Sequence, residues 1–394
     1  MVVLFVMPYV FFFRIVSPIP VFILLLPILV CFRRPIDIPL LKKTLASTTD
    51  LLLILAFLAL VSILLAIFHK SHDWYMTQFW FLRVAFVFYW AALVYFEPRL
   101  MKLDYIVPIL GCAFFLHALT SWILYFAPEL RNTVLEFTYI SNLAQNSLAY
   151  ADFNSRLPSV GVMFFGGGVF YAVTIFILIV YAIEKETVIW PWILSVFLFV
   201  TAIHIARTAY LILPLIIPFL LYRNSKENLK RFLLAFFSTA CLIALLNSNL
   251  RTQKLTNFSL EPFYNLLHSG KPTAITASTV VMINDTKLAQ RRLMHKSTLA
   301  FGDGKTLSEH GYYGGSDIGY IRLILYGGIL YSIIYFLPLL YSVILKRNSF
   351  KKMPHVTILF GILLASILFN VKGMIDAAAL YIPIMISLNL ESRS

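Results

Sequence analysis

Charge is scarce in this chain. Only 13% of its 394 residues are Asp, Glu, Lys or Arg, against 60% that are hydrophobic, and the mean hydropathy is +0.84. A soluble protein of this length could not hide that much apolar surface, so the class is a polytopic membrane protein. Cysteine is scarcer still. Cys31, Cys112 and Cys241 all fall inside apolar runs, with no metal-ligand spacing and no disulfide framework. They are expected to fill space. No His-Glu-x-x-His, Cys-x-x-Cys or Asp-x-Asp clamp stands between the outer runs, so no metal site is expected there. A Walker-type loop is also missing, so ATP-driven work is not indicated. The first segment lacks a basic start and a clear small-residue cleavage site, and no cleavable signal peptide is expected. No internal repeat stands out.

What is present is a series of apolar runs, each long enough to cross or nearly cross a bilayer as helix. They lie at about 2–16, 18–32, 50–68, 79–96, 105–126, 161–183, 188–204, 208–222, 232–247, 317–345, 354–370 and 373–389. Helix is the default because lipid offers backbone groups no partner. The expected fold class is therefore all-α, a helical bundle of about twelve transmembrane spans.

The net charge of +14 supports this count and gives it an orientation. With the N-terminus cytoplasmic, inner loops carry Arg33, Arg34, Lys42, Lys43, Arg99, Lys102, Lys185, Arg223, Lys226, Lys230, Arg231, Lys346, Arg347, Lys351 and Lys352. The short outer loops carry only Lys70, Arg131, Arg156, Arg207 and Lys372. That asymmetry is the positive-inside rule, with both ends inside. Two outer segments are longer: a smaller one at about 127–160 and a long polar one at 248–316. Three blocks follow: helices and the small loop over 1–247, the long loop over 248–316, and the last helices over 317–394. The long loop holds Arg251, Lys254, Lys271, Lys287, Arg291, Arg292, Lys296 and Lys305, and its helix-like stretch runs from about Ala277 to Leu293.

A few outer-face residues have chemistry to offer. Arg156 opens Arg-Leu-Pro-Ser-Val-Gly-Val-Met-Phe-Phe-Gly-Gly-Gly. Its fork can clamp phosphate, or it can snorkel to headgroups. The three glycines lack the Lys-Ser/Thr of a phosphate loop and suit close helix packing or a kink. Arg207 stands between two apolar runs with almost no loop. An arginine there costs about 3 kcal/mol unless it faces water, a partner or an anion. His204, three residues earlier, reads as a hydrogen-bonded helix residue. Asp317 can be a base or merely the cap of the following helix. His310 can be a general base. Tyr320 shares a helix face with Asp317, Arg322 points further round, and Arg291 and Arg292 add basic charge on the same side. Lys372 and Asp376, four apart, can pair structurally.

Three motifs in order resemble the Wzy-type O-antigen polymerases, within the superfamily that includes the O-antigen ligases. The first is Arg156 leading into its Gly- and Phe-containing span. The second is Ile-Ala-Arg-Thr-Ala-Tyr-Leu around Arg207, with Ala206 where serine is common. The third is Ser316-Asp317-Ile318-Gly319-Tyr320 leading into Gly327-Gly328, after the long loop. The ligases favour a histidine near that last position, which His310 matches loosely.

The resemblance implies a GT-C-like fold in the bacterial inner membrane, with the long loop periplasmic. It implies a glycosyltransferase that joins undecaprenyl-pyrophosphate-linked oligosaccharide repeat units without metal or nucleotide. Arg156 and Arg207 would clamp diphosphate, with Arg291 or Arg292 as a third cation. Asp317 or His310 would be the base or orient the acceptor, and Tyr320 and Arg322 would line the site. A chain-length regulator is an implied partner; nucleic acid is not. The alternatives are an O-antigen ligase, transferring glycan to lipid A–core, and a flippase for the same lipid-linked unit. A flippase should show related halves and broken helices near the midplane.

Overall fold

The computed structural model describes residues 2–11, 21–23, 25, 38–71, 73–137, 156–158, 165–185, 188–223, 226–269, 296–308, 311–313, 318–344, 354–370 and 377–391. The architecture is helical, with one two-residue antiparallel pair, β1 (Leu307–Ser308) and β2 (Gly311–Tyr312). In chain order the helices are α1 (Val2–Phe11), α2 (Ile38–Phe68), α3 (Tyr75–Phe96), α4 (Leu103–Phe126) and α5 (Pro128–Phe137). Then come α6 (Phe165–Lys185), α7 (Trp190–Ile205), a 3-10 helix (Arg207–Ile212) and α8 (Leu213–Arg223). After these come α9 (Lys226–Ser248), α10 (Leu250–Ser269), α11 (Lys296–Phe301), α12 (Gly319–Ile334), α13 (Leu337–Ile344), α14 (Pro354–Phe369) and α15 (Ala378–Glu391).

Six of the described segments are long and apolar enough to cross a membrane, and four apolar helices are shorter. The chain is thus a membrane-class helical protein. Its core is α6, whose spanning window is 94% buried, whereas that of α9 is 6% buried and lies at the periphery. α6 packs on α4, α7, the 3-10 helix and α14.

Three expectations are corrected. Helix α2 starts at Ile38, well before the apolar run expected at about residue 50. The intervening polar residues bond back to their own helix: Thr44 Oγ1 donates to Leu40 O at 2.9 Å, Ser47 Oγ to Thr44 O at 2.6 Å and Thr48 Oγ1 to Leu45 O at 2.8 Å. Hydropathy does not register that satisfaction.

The run at 317–345 is no single helix. α12 breaks at Gly327 and Gly328, where Gly328 takes φ 77° and ψ −176°, a region reserved for glycine. The carbonyls around the break are used: Asp303 N–H donates to Leu325 O at 2.6 Å and Gly304 N–H to Tyr326 O at 2.9 Å.

Cys112 and Cys241 are exposed on their helices, so they do not fill core space. The long polar segment carries α10 at its entrance and the short α11 nearer its end. The stretch from Ala277 to Leu293, expected to be helical, lies outside the described residues, as does Cys31.

Candidate functional site

The site grows from the end of α7. Ala206 is extended (φ −153°, ψ 128°), which stops the helix and starts the 3-10 turn at Arg207. At 16 residues α7 spans roughly 24 Å, less than a hydrocarbon core of about 30 Å. Gly168 makes the turn possible: a Cβ there would stand 2.7 Å from the Ala206 Cβ. Part of the glycine run therefore serves close packing.

A helix end leaves carbonyls without partners. Here two are satisfied from outside α7. His204 O accepts from the Leu157 amide at 3.0 Å. Ile203 O accepts from Ser259 Oγ at 3.1 Å. The first bond fixes Arg156, next in sequence to the buried Leu157, beside the turn. The second docks α10 over it.

Helix α10 is amphipathic. Thr252, Leu255, Thr256 and Ser259 are buried, at the spacing of one helix face. Arg251, Gln253, Lys254 and Asn257 are exposed. Its other anchors are Tyr125 Oη donating to Arg251 O at 2.7 Å and Tyr210 Oη donating to Ser259 O at 3.3 Å.

Arg156 and Arg207 meet on this helix. The Arg207 guanidinium carbon lies 4.0 Å from the centre of the Phe258 ring, and that of Arg156 lies 4.3 Å from it. The two guanidinium carbons are no further apart than those two distances laid end to end. Arg207 Nη2 also donates to the carboxylate of Glu261, one helical turn beyond Phe258. Each contact offsets part of the cost of keeping a cation in a poorly hydrated place: about 0.5–2 kcal/mol for a cation on an aromatic face. The negative end of the α7 dipole favours positive charge at the same point. The arrangement is two cations, one acid and one ring, under a surface helix. Such a cluster can bind an anionic group by exchange of its own carboxylate.

His204 is bonded within its helix: Nδ1 donates to Val200 O at 2.5 Å, so Nδ1 carries the proton. Its ring also packs against Trp122, with centroids 5.9 Å apart.

Tyr320 and Arg322 stand at the start of α12. Tyr320 Oη donates to Ile367 O at 2.6 Å, and its amide donates to Asn370 O at 3.3 Å, so the residue is anchored on the end of α14. Arg322 is buried in the same half-helix. Asp317, His310, Arg291 and Arg292 lie outside the described residues, as do Lys372 and Asp376.

Sequence reasoning missed three residues. Phe258 and Glu261 carried no signal, because a single aromatic and a single acid in a polar segment point nowhere. Arg83 had one: it is a lone arginine inside an apolar run. It is buried on α3, with its guanidinium carbon 3.2 Å from the Phe79 ring centre and Nη1 donating to Phe79 O at 3.0 Å.

Among the described residues, no group of three or more His, Cys, Asp or Glu side chains is placed to hold a metal ion. Comparison with family models, curated proteins and solved structures finds no match for this chain.

Proposed function

We propose that this protein is a periplasm-facing polysaccharide polymerase of the O-antigen type, with about twelve spans and both ends cytoplasmic. In this reading it joins undecaprenyl-pyrophosphate-linked oligosaccharides in the bacterial inner membrane. The observation that carries the proposal is the convergence of Arg156 and Arg207 on Phe258. Two motifs about fifty residues apart, singled out by resemblance to that family, contribute to one cationic cluster. A departing diphosphate needs cations aimed at the charge that develops on it, and guanidinium groups in a weakly hydrated cleft supply them.

In the reaction, an acceptor sugar hydroxyl attacks the anomeric carbon of the donor. A new glycosidic bond forms, the bond to the diphosphate oxygen breaks, and the lipid diphosphate leaves with the electron pair. The hydroxyl proton goes to a base, assigned to Asp317 or His310 by the family resemblance. Arg291 and Arg292 remain proposed as additional cations, and Tyr320 and Arg322 as site-lining residues.

The test is replacement of Arg156 or Arg207 by Ala in a polymerase-deleted strain, followed by sizing of the surface glycan. Both variants should yield only short chains. A normal ladder of long chains from both would end the proposal. Deletion itself separates the ligase alternative: loss of a polymerase leaves a single repeat unit on lipid A–core, and loss of a ligase leaves none.

A further inference from the structure

The acid in the cluster has no role in the reaction above. Glu261 sits on α10, and its carboxylate lies against Arg207 Nη2. The Glu261 side chain is only one-third exposed (32%) and that of Arg207 less (17%), so this is no freely solvated surface pair. A carboxylate on a guanidinium fork has the same donor–acceptor chemistry as a phosphoryl oxygen there. Both cations also touch the ring of Phe258, three residues before Glu261 on the same helix. One short stretch of α10 therefore brings both the platform that gathers the cations and the anion that neutralises one of them.

We propose that Glu261 is a built-in stand-in for the anionic ligand. In the empty protein its carboxylate occupies Arg207 and holds α10 down over the α7 turn. A phosphate-bearing ligand takes its place on Arg207, and α10 loses that tie. The remaining ties of α10 are the two guanidinium contacts on the Phe258 ring and three neutral hydrogen bonds: Ser259 to Ile203 O, Tyr210 to Ser259 O and Tyr125 to Arg251 O. Release of the charged tie therefore loosens the helix without detaching it. The same exchange gives selectivity. A monoanion no stronger than a carboxylate gains little by displacing Glu261, whereas a diphosphate, with more charge and more acceptor oxygens, gains from both arginines. This inference rests on the anion-site reading above.

The experiment uses the full chain in detergent micelles and inorganic pyrophosphate as probe. Affinity is measured by calorimetry for the natural protein, Glu261→Gln and Glu261→Ala. Amide hydrogen exchange is followed over 250–269. Removing an internal competitor should tighten pyrophosphate binding about tenfold in both variants. In the natural protein, pyrophosphate should speed exchange across α10. Equal or weaker binding by the variants overturns the proposal while leaving the anion site intact, because Glu261 would then support the site. Slower or unchanged exchange of α10 in the natural protein overturns it independently of any variant's folding. No binding by any of the three proteins overturns the anion-site reading itself, and this inference with it.

Discussion

The two ends of the long polar segment are fastened by different chemistry. At its entrance, α10 lies over the α7 turn through a guanidinium–carboxylate pair, two cation–ring contacts and three hydrogen bonds. At its exit, residues 296–308 and 311–313 are clasped by hydrogen bonds from neutral donors to two carboxylates and by backbone. Asp73 Oδ2 accepts from both the Thr306 amide, at 2.5 Å, and its hydroxyl, at 2.7 Å. Asp303 accepts from Thr298 Oγ1 at 2.8 Å and Tyr313 Oη at 3.1 Å. Gly304 packs on His69, and Gly328 packs on the Ala300 carbonyl. The entrance is held largely by charges that another ion can exchange. The exit is held by close backbone fit and by carboxylates bonded to neutral donors. One end suits a surface that responds to a ligand; the other suits an anchor.

The largest expected effect falls on the anchor. Gly328→Ala adds a Cβ 2.1 Å from Ala300 O, at a φ of 77°. It should destabilise the fold by about 3 kcal/mol or more. Thermal unfolding in detergent checks this; a melting curve like that of the natural protein would remove the rigid half of the comparison.

Gly168→Leu comes next. It pushes on the Ala206 turn and should cost about 1–3 kcal/mol by overpacking. On the polymerase proposal it should also abolish long glycan chains by displacing Arg207, while exchange over 296–308 stays unchanged. Equal loosening at both ends would show that the two fastenings are not independent.

Asp73→Ala leaves the Thr306 amide and hydroxyl without their shared acceptor, at about 1–3 kcal/mol. Amide exchange should rise over 304–308 and not over α10. Phe258→Leu keeps bulk and removes the π face, so α10 docking should weaken by about 0.5–2 kcal/mol. The readout is faster exchange over 250–261 with the exit unaltered. The smallest effect is that of salt. Raising it from low to molar ionic strength should speed exchange in α10, whose ion pair is partly exposed, and leave residues 296–308 as they were. Identical salt responses at both ends would refute the contrast between exchangeable charge and fixed fit.

These contrasts also separate what could be read early from what could not. Arg207 stood out because an arginine between apolar runs is costly, and the structure gives it a carboxylate, a ring and a helix end. Arg156 was legible only through its motif. Arg83 breaks an apolar run just as visibly, but the run still averages as a span. The Gly327–Gly328 pair sits within the apolar run at 317–345, and nothing in the sequence marks it as a break. The φ of Gly328 makes the break.

The sequence by itself determined the class of this protein: apolar runs without backbone partners in lipid must be helical, and composition alone decides that. It also determined where charge would be expensive. Tertiary structure alone decided which residues meet that charge. Phe258 and Glu261 lie about fifty residues beyond Arg207 and about one hundred beyond Arg156 in the chain. Their meeting depends on a helix end whose orphan carbonyls draw in Leu157 and Ser259. Those bonds exist only once α7 has stopped at Ala206 and α10 has folded back over it, and no pattern along the chain encodes that crossing.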